Sequence, residues 1–230
     1  MFLQVRVIQE VYCMKKKKFL CLVIAVAVVA IMIPSATFAS DTTLPPPINV
    51  SVYTTNGKNI LTWSEISGAG GYIVYRQSQY ESWEKCDQTT SLRSIDNSRE
   101  LIPDVVYYYK IHTYQNNYPG KDIESADSEV VSVKYKLPAS KITTLSRNSR
   151  TSLKVYWGKV SSADGYNIYQ KKDSKGKWKK IKTITKNSTL NYTVKKLKRG
   201  SRYYYKVRAY KTYGGHTGYS SYSSIKSKKL

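Results

Sequence analysis

Acid–base and nucleophilic catalysis needs histidines, cysteines or paired carboxylates at short spacing, and this chain is poor in all of them. Its 230 residues hold two histidines, His112 and His216, and three cysteines. His112 falls on the outward phase of a strand pattern and reads as a solvated surface side chain. His216 sits in the loop Gly214-Gly-His-Thr-Gly218. Neither sits near a paired acid or nucleophile pattern. No Gly-rich phosphate loop follows a strand, and no Cys/His group has metal-ligand spacing. The stretch Glu124 to Glu129 lacks the Gly-centred loop that a hard cation needs. The expectation is no catalytic residue, no metal and no cofactor.

What the chain has in excess is cationic. Lys plus Arg is 38 against 15 Asp plus Glu, a net charge of +23. The excess is one-sided: residues 40–136 carry 9 basic and 12 acidic side chains, residues 137–230 carry 24 and 2. Within the second stretch the lysines crowd between Lys171 and Lys186, and Arg202, Lys206 and Arg208 share a strand phase with Tyr204. A lysine-rich, tyrosine-bearing face suits polyanions, and the attraction is additive and salt-sensitive. The candidate polyanion or glycan contacts are Tyr169, Lys171, Lys172, Lys175, Lys177, Lys179, Lys180, Tyr204, Lys206 and Arg208. The alternative is a solvated surface whose lysines only keep the protein soluble.

The elements that must position these residues read as strands. There are 22 Tyr against 3 Phe, and Tyr, Val, Ile and Thr favour half-buried strands. Leu153, Val155 and Trp157 alternate with Lys154 and Tyr156. Tyr203, Tyr205, Val207 and Ala209 alternate with Tyr204, Lys206 and Arg208. Period 2 with one polar face marks strands packed on one side. No convincing helical stretch follows residue 40.

The strands come in two copies. Trp63-Ser-Glu-Ile-Ser-Gly-Ala-Gly-Gly-Tyr-Ile-Val-Tyr75 lines up with Trp157-Gly-Lys-Val-Ser-Ser-Ala-Asp-Gly-Tyr-Asn-Ile-Tyr169 at an offset of 94. Trp83 matches Trp178 at 95, and Leu101–Lys110 matches Leu197–Lys206 at 96. Short loop insertions produce that creep. Cys86 aligns with Ile181 and reads as a small buried hydrophobe. Copies of about 95 residues with some seven short strands predict β-sandwiches.

The N-terminus carries a different signal. Met14 precedes four lysines, an apolar run of 15 residues from Phe19 to Ile33, then Pro34 and a small-residue site with Thr37 and Ala39. This is the pattern of a secretory signal peptide cleaved after Ala39, with Met14 the better start. As a helix the run is about 22 Å long, short of a hydrocarbon core of about 30 Å. The alternative is an uncleaved N-terminal membrane anchor. Cleavage removes Cys13 and Cys21 and leaves Cys86 alone, so the mature chain is held by its core without a disulfide. The expected division is a signal peptide at 1–39, one module at 40–136 and a strongly basic one at 137–230.

Each copy resembles a fibronectin type III domain of the kind found in exported Gram-positive bacterial proteins. The resemblance rests on a Trp (Trp63, Trp157), a Tyr on the next strand (Tyr72, Tyr166), and Leu-x-Pro-x-x-x-Tyr from Leu101 to Tyr107. Leu197 to Tyr203 repeats the last pattern with Arg199 in place of Pro. It implies an all-β fold of two tandem immunoglobulin-like sandwiches, with Trp63, Tyr72, Tyr107, Trp157, Tyr166 and Tyr203 in the core. The resemblance departs at Thr89–Glu100, where no clean strand matches Tyr192 and Val194. It implies a fold and not a function.

The leading expectation is a non-enzymatic exported surface protein, built for adhesion or spacing. Its partners are anionic cell-wall polymer or polysaccharide for the second module, and other surface proteins. The alternative is an accessory glycan-binding part of a secreted carbohydrate-active system, with Tyr and Trp stacking on sugar rings. Exposure of Trp83 and Trp178 separates these readings. Nucleic-acid binding would use the same charge, but the export pattern argues against it.

Overall fold

The computed structural model describes residues 44–117 and 121–230. The signal-peptide pattern, its cleavage site and Cys13 and Cys21 lie outside the described residues. Among the described residues there is no helix, and the chain forms two β-sandwiches in tandem.

In the first, β1 (Ser51–Thr55), β2 (Lys58–Thr62) and β5 (Arg93–Asp96) form a sheet in the order β1-β2-β5. The facing sheet runs β4 (Glu81–Thr89), β3 (Gly71–Ser78), β6 (Val106–Asn117), and β6 then pairs along its length with β7 (Lys121–Glu124) and β8 (Val131–Lys134). The second sandwich repeats the plan. Its small sheet is β13 (Asn191–Val194), β10 (Ser152–Trp157), β9 (Ile142–Ser149). Its large sheet is β12 (Lys179–Ile184), β11 (Gly165–Lys172), β14 (Arg202–Tyr213), flanked by β15 (His216–Tyr219) and β16 (Lys226–Lys229).

Strand alternation explains what each sheet buries. On β14, Tyr203, Tyr205, Val207 and Ala209 point into the core, while Tyr204, Lys206 and Arg208 are half-exposed. One apolar cluster draws on residues from Leu61 to Tyr135, the other on residues from Leu137 to Leu230. Trp63 and Trp157 are buried in matched places, each edge-on or tilted to a tyrosine, Tyr72 and Tyr166, with ring centroids 5.2 and 5.6 Å apart. Buried tyrosines need a partner for the hydroxyl, and the same two bonds recur in each sandwich. Tyr72 Oη accepts from Ile66 N–H at 3.0 Å, and Tyr166 Oη from Val160 N–H at 2.9 Å. Tyr107 Oη accepts from Ile102 N–H at 2.8 Å and donates to Glu100 O, and Tyr203 Oη accepts from Lys198 N–H at 2.9 Å.

The stretch Thr89–Glu100, expected to break the pattern, contains β5, which pairs β2 in register just as β13 pairs β10. Its inward phase carries Ser94 and Asp96 where β13 carries Tyr192 and Val194, so no apolar alternation betrays it. Asp96 is buried because Arg76 Nη1 donates to it at 3.1 Å and Tyr109 Oη at 2.7 Å, with Asn59 Nδ2 donating in turn to Tyr109 at 2.8 Å. The Arg76 guanidinium also meets Ser98 and Glu100.

Candidate functional site

The expected contacts of the second sandwich lie on the outer face of β11, β12 and β14 and in the β11–β12 hairpin. Register sets Tyr169 of β11 between Lys180 of β12 and Lys206 of β14, and Lys171 opposite Tyr204. Tyr169 and Tyr204 are therefore diagonal neighbours and not a facing pair.

A segment outside the regular strands completes this face. Between β15 and β16 the chain leaves the ladder, and serine side chains take the place of strand pairing. Ser220 N donates to Ala209 O at 2.9 Å while Ser220 Oγ accepts from Ala209 N at 2.9 Å. Ser223 does the same with Val207, at 2.7 and 3.0 Å. Pinned at every third residue, the spacing of a polyproline II turn, the segment lays Tyr222 over β14 beside Tyr219, the last residue of β15.

The result is a ladder in which cations and rings alternate. Lys171 Nζ lies 5.1 Å from the Tyr204 ring and 5.4 Å from that of Trp178. Lys206 Nζ lies 4.7 Å from Trp178 and 3.6 Å from Tyr222. The Arg208 guanidinium lies 5.1 Å from Tyr222 and 3.7 Å from Tyr219. Each contact is within the range of a cation–π attraction. Trp178, the residue whose exposure was to separate the readings, is neither core nor free surface: it is half-buried between two lysines. Trp83 likewise stands half-buried at 4.8 Å from Lys110 Nζ.

The hairpin lysines are placed differently. Lys172, Lys175, Lys177, Lys179 and Lys180 are exposed. Every ion pair among the described residues involves the first sandwich, so none of these cations has a carboxylate partner. Of the two acids of this module, Asp164 Oδ2 accepts from Thr212 N–H at 2.7 Å, and Asp173 stands in the hairpin itself, at a left-handed turn position with φ of 57° and in no ion pair with these lysines.

In the first sandwich the matching face is neutralised. His112, expected to be solvated, is half-buried, with Nδ1 3.0 Å from Glu124 Oε2 and Nε2 2.6 Å from Asp127 Oδ1. Lys110 Nζ donates to Asp127 at 3.0 Å. Bonds from His112 and Lys110 hold the Asp127 carboxyl below the usual carboxylate range. Ser125 and Ser128 pin this segment to Thr113 and Ile111 as Ser220 and Ser223 pin the other. His216 is exposed and stacks on Tyr80 at 3.8 Å between centroids. Cys86 packs against the first core, and burial pushes its thiol up to about 12.

Sequence reasoning missed Tyr219 and Tyr222, and it weighed the stretch holding Glu124 and Asp127 only for a cation and not as the partners of His112 and Lys110. A signal was present: Glu124-Ser-Ala-Asp-Ser128 aligns with Tyr219-Ser-Ser-Tyr-Ser223 at an offset of 95, with both serines kept.

No curated protein matches this chain in sequence. Among solved structures, a two fibronectin type III domain segment of chicken tenascin superposes with a TM-score of 0.54 at 16% identity, covering 80% of this chain and 99% of that one. The selenomethionine-substituted chicken interferon gamma receptor alpha chain gives 0.44 at 14% identity, covering 82% and 99%. Residues 138–226 match the Fibronectin type III domain family, whose sequence signature the second sandwich therefore carries.

Proposed function

We propose that this is a non-enzymatic exported surface protein whose sandwiches act as interaction and spacing modules, and that the second module associates electrostatically with anionic cell-wall polymer. Fibronectin type III domains are in general interaction or spacer modules, which supports the first half. The observation that carries the second half is the exposed lysine hairpin of residues 171–182, in a module with 24 basic and 2 acidic residues and no ion pair of its own among the described residues. Unpaired surface cations raise the local concentration of polyanions without a shaped site. The basic and apolar N-terminal pattern supports export, to the medium or the cell surface, or retention through an uncleaved anchor.

The glycan-stacking reading is less well supported. A sugar needs a free ring face, and Lys206 covers both Trp178 and Tyr222.

The test is retention of the protein beginning at Ser40 on purified Gram-positive cell walls, before and after extraction of teichoic acids. Binding should be strong at low salt and fall steeply towards 0.15 M, where the screening length is about 8 Å. Replacing Lys175, Lys177, Lys179 and Lys180 by Ser should weaken it without unfolding. Salt-independent retention on extracted walls would instead establish sugar stacking. Failure to bind either preparation would leave a spacer.

A further inference from the structure

The two sheets of the second sandwich meet along one side with two unpaired edges, β12 and β13. Between them lies a groove of about 560 Å³. Six lysines line it: Lys171, Lys172, Lys177, Lys179, Lys195 and Lys196. Its floor is apolar, with Ile181, Val194 and Leu197. Among the described residues, no acidic one lines it.

Lysines on edge strands have an ordinary use, since charge prevents pairing with another chain. That use needs charge of either sign, and the first sandwich shows as much. Its matching edges, β4 and β5, carry Glu84, Lys85, Asp87 and Arg93, both signs together. The two edges there are also joined, by Ser94 Oγ donating to Asp87, and the buried Arg76 side chain meets Asp96 beside them. In the second sandwich the position of Arg76 is taken by Gln170, which donates instead to Tyr205 Oη at 2.7 Å. Single-sign charge around an open concavity is more than edge protection requires, and it focuses the field on whatever lies inside.

We propose that this groove binds one extended chain of phosphate anions along the sandwich edge, gripped by Lys172, Lys177, Lys179, Lys195 and Lys196. The inference rests on the polyanion reading above and goes beyond it by placing the polymer in the groove and not across the aromatic ladder. Lys171 is already committed, with Nζ donating to Ser174 O at 2.6 Å and standing between two rings. Lys206 and Arg208 are likewise held by rings. The groove lysines have ammonium groups free to turn inward, and the unpaired N–H groups of an edge strand add donors. Six residues of β12 span about 20 Å, long enough for several successive phosphates of a linear polymer and far longer than one phosphate needs.

The test compares two pairs of substitutions that remove equal charge from the whole chain. Lys195→Gln with Lys196→Asn opens the groove; Asn is chosen because Lys196 has φ of 58°, a conformation Asn tolerates. Arg147→Gln with Arg150→Gln removes two exposed cations outside it. The probe is inorganic polyphosphate, with orthophosphate as the monomeric control. Each lost phosphate contact should lower the slope of log K against log salt by about one. The groove pair should therefore bind polyphosphate three- to tenfold more weakly at 0.15 M salt, with a slope lower by about 2. The arginine pair should change it less than twofold, and orthophosphate should bind no variant measurably. Equal losses from both pairs, at unchanged unfolding midpoints, would show delocalised attraction and overturn the groove. Retention of the groove pair on teichoic-acid-bearing walls at wild-type level would overturn the groove while leaving the wall reading intact. Loss of wall binding by the parent protein would remove the wall reading, and polyphosphate binding would then assign the groove to soluble phosphate polymer.

Discussion

The two sandwiches share a scaffold and differ in what neutralises their cations. Lys110 and His112 of the first occupy the places of Lys206 and Arg208 in the second, both 96 residues apart. Trp83 and Trp178 stand over the matched lysines, at 4.8 and 4.7 Å. The end of β7 and the pinned segment after it supply Glu124 and Asp127 in one case, and the end of β15 and its pinned segment supply Tyr219 and Tyr222 in the other. A carboxylate cancels the charge beside it, whereas a ring holds a cation in place and leaves its charge undiminished. Two exchanges in a short extended segment thus separate a self-neutralised face from one with a net positive field. The teaching is that a repeat can keep its core landmarks and change its electrostatic output through residues that no core position constrains.

The cores diverge as well, and here the largest effect is expected. Burial works against the Arg76 charge, but Asp96 and Glu100 outweigh it, so its pKa stands above the ordinary guanidinium value. Removing one member of a buried pair leaves the other uncompensated. Arg76→Met should destabilise the first sandwich by about 3–5 kcal/mol. Rebuilding the second sandwich's neutral arrangement, Arg76→Gln with Asp96→Val, should recover at least half of that loss. Urea unfolding of the whole chain measures both. A single variant costing less than about 1 kcal/mol would mean that water or Ser98 already screens Asp96.

These contrasts set what could be read from the residues alone. The Trp63/Trp157 and Tyr107/Tyr203 landmarks are apolar or aromatic, sit at fixed phases, and declare themselves locally. β5 does not, because its inward positions are Ser94 and Asp96. What satisfies Asp96 is Arg76, 20 residues earlier, and Tyr109, 13 later. His112 looked solvated for the same reason: its acids lie 12 and 15 residues away and arrive only when β7 and the following segment fold back on β6. The ladder of the second module was legible in its strand half, Lys206 and Arg208, and not in its tyrosine half. Serines replaced backbone pairing there, and strand alternation disappears with it. The groove was invisible because it exists only between edges of two different sheets.

Alkaline pH sharpens the comparison at the next scale. Burial pushes Tyr107 and Tyr205 from 10.0 up to about 12, and Tyr109 upward as well. A proton kept by the folded state and lost by the unfolded one stabilises the fold below the unfolded pKa, and that contribution is lost as pH rises through the folded value. Both sandwiches should therefore weaken between pH 10 and about 12. Cys86, raised from 9.0 to about 12 by burial, adds a loss that begins near pH 9 and belongs to the first sandwich alone. From pH 9 to 10 the first sandwich should lose up to about 1.4 kcal/mol that the second keeps. Cys86→Ile, the second module's own choice at this place, should abolish that early loss. Coincident alkaline transitions in the parent protein would contradict it.

The smallest effect lies in the ladders themselves, at acid pH. Asp127 has its pKa lowered, chiefly by the hydrogen bond from His112 and then that from Lys110, so its contribution is present above pH 3.8 and is lost as pH falls below it. The Asp127 side chain is half-exposed, and solvent screening limits the loss to a few tenths of a kcal/mol. The tyrosine ladder has no carboxylate in the place of Asp127, so the second sandwich should show no matching decline from its own face. Transplanting the carboxylates, Tyr219→Glu with Tyr222→Asp, should confer that acid sensitivity on the second sandwich while changing its stability at pH 7 by less than about 1 kcal/mol, because one weak attraction replaces another of similar size. The same exchange places two negative charges on the ladder face and none in the groove. It should weaken polyphosphate binding by less than the Lys195/Lys196 pair does. If it weakens binding more, the polymer crosses the ladder, and the tyrosines that hold Lys206 and Arg208 in place are part of the contact surface.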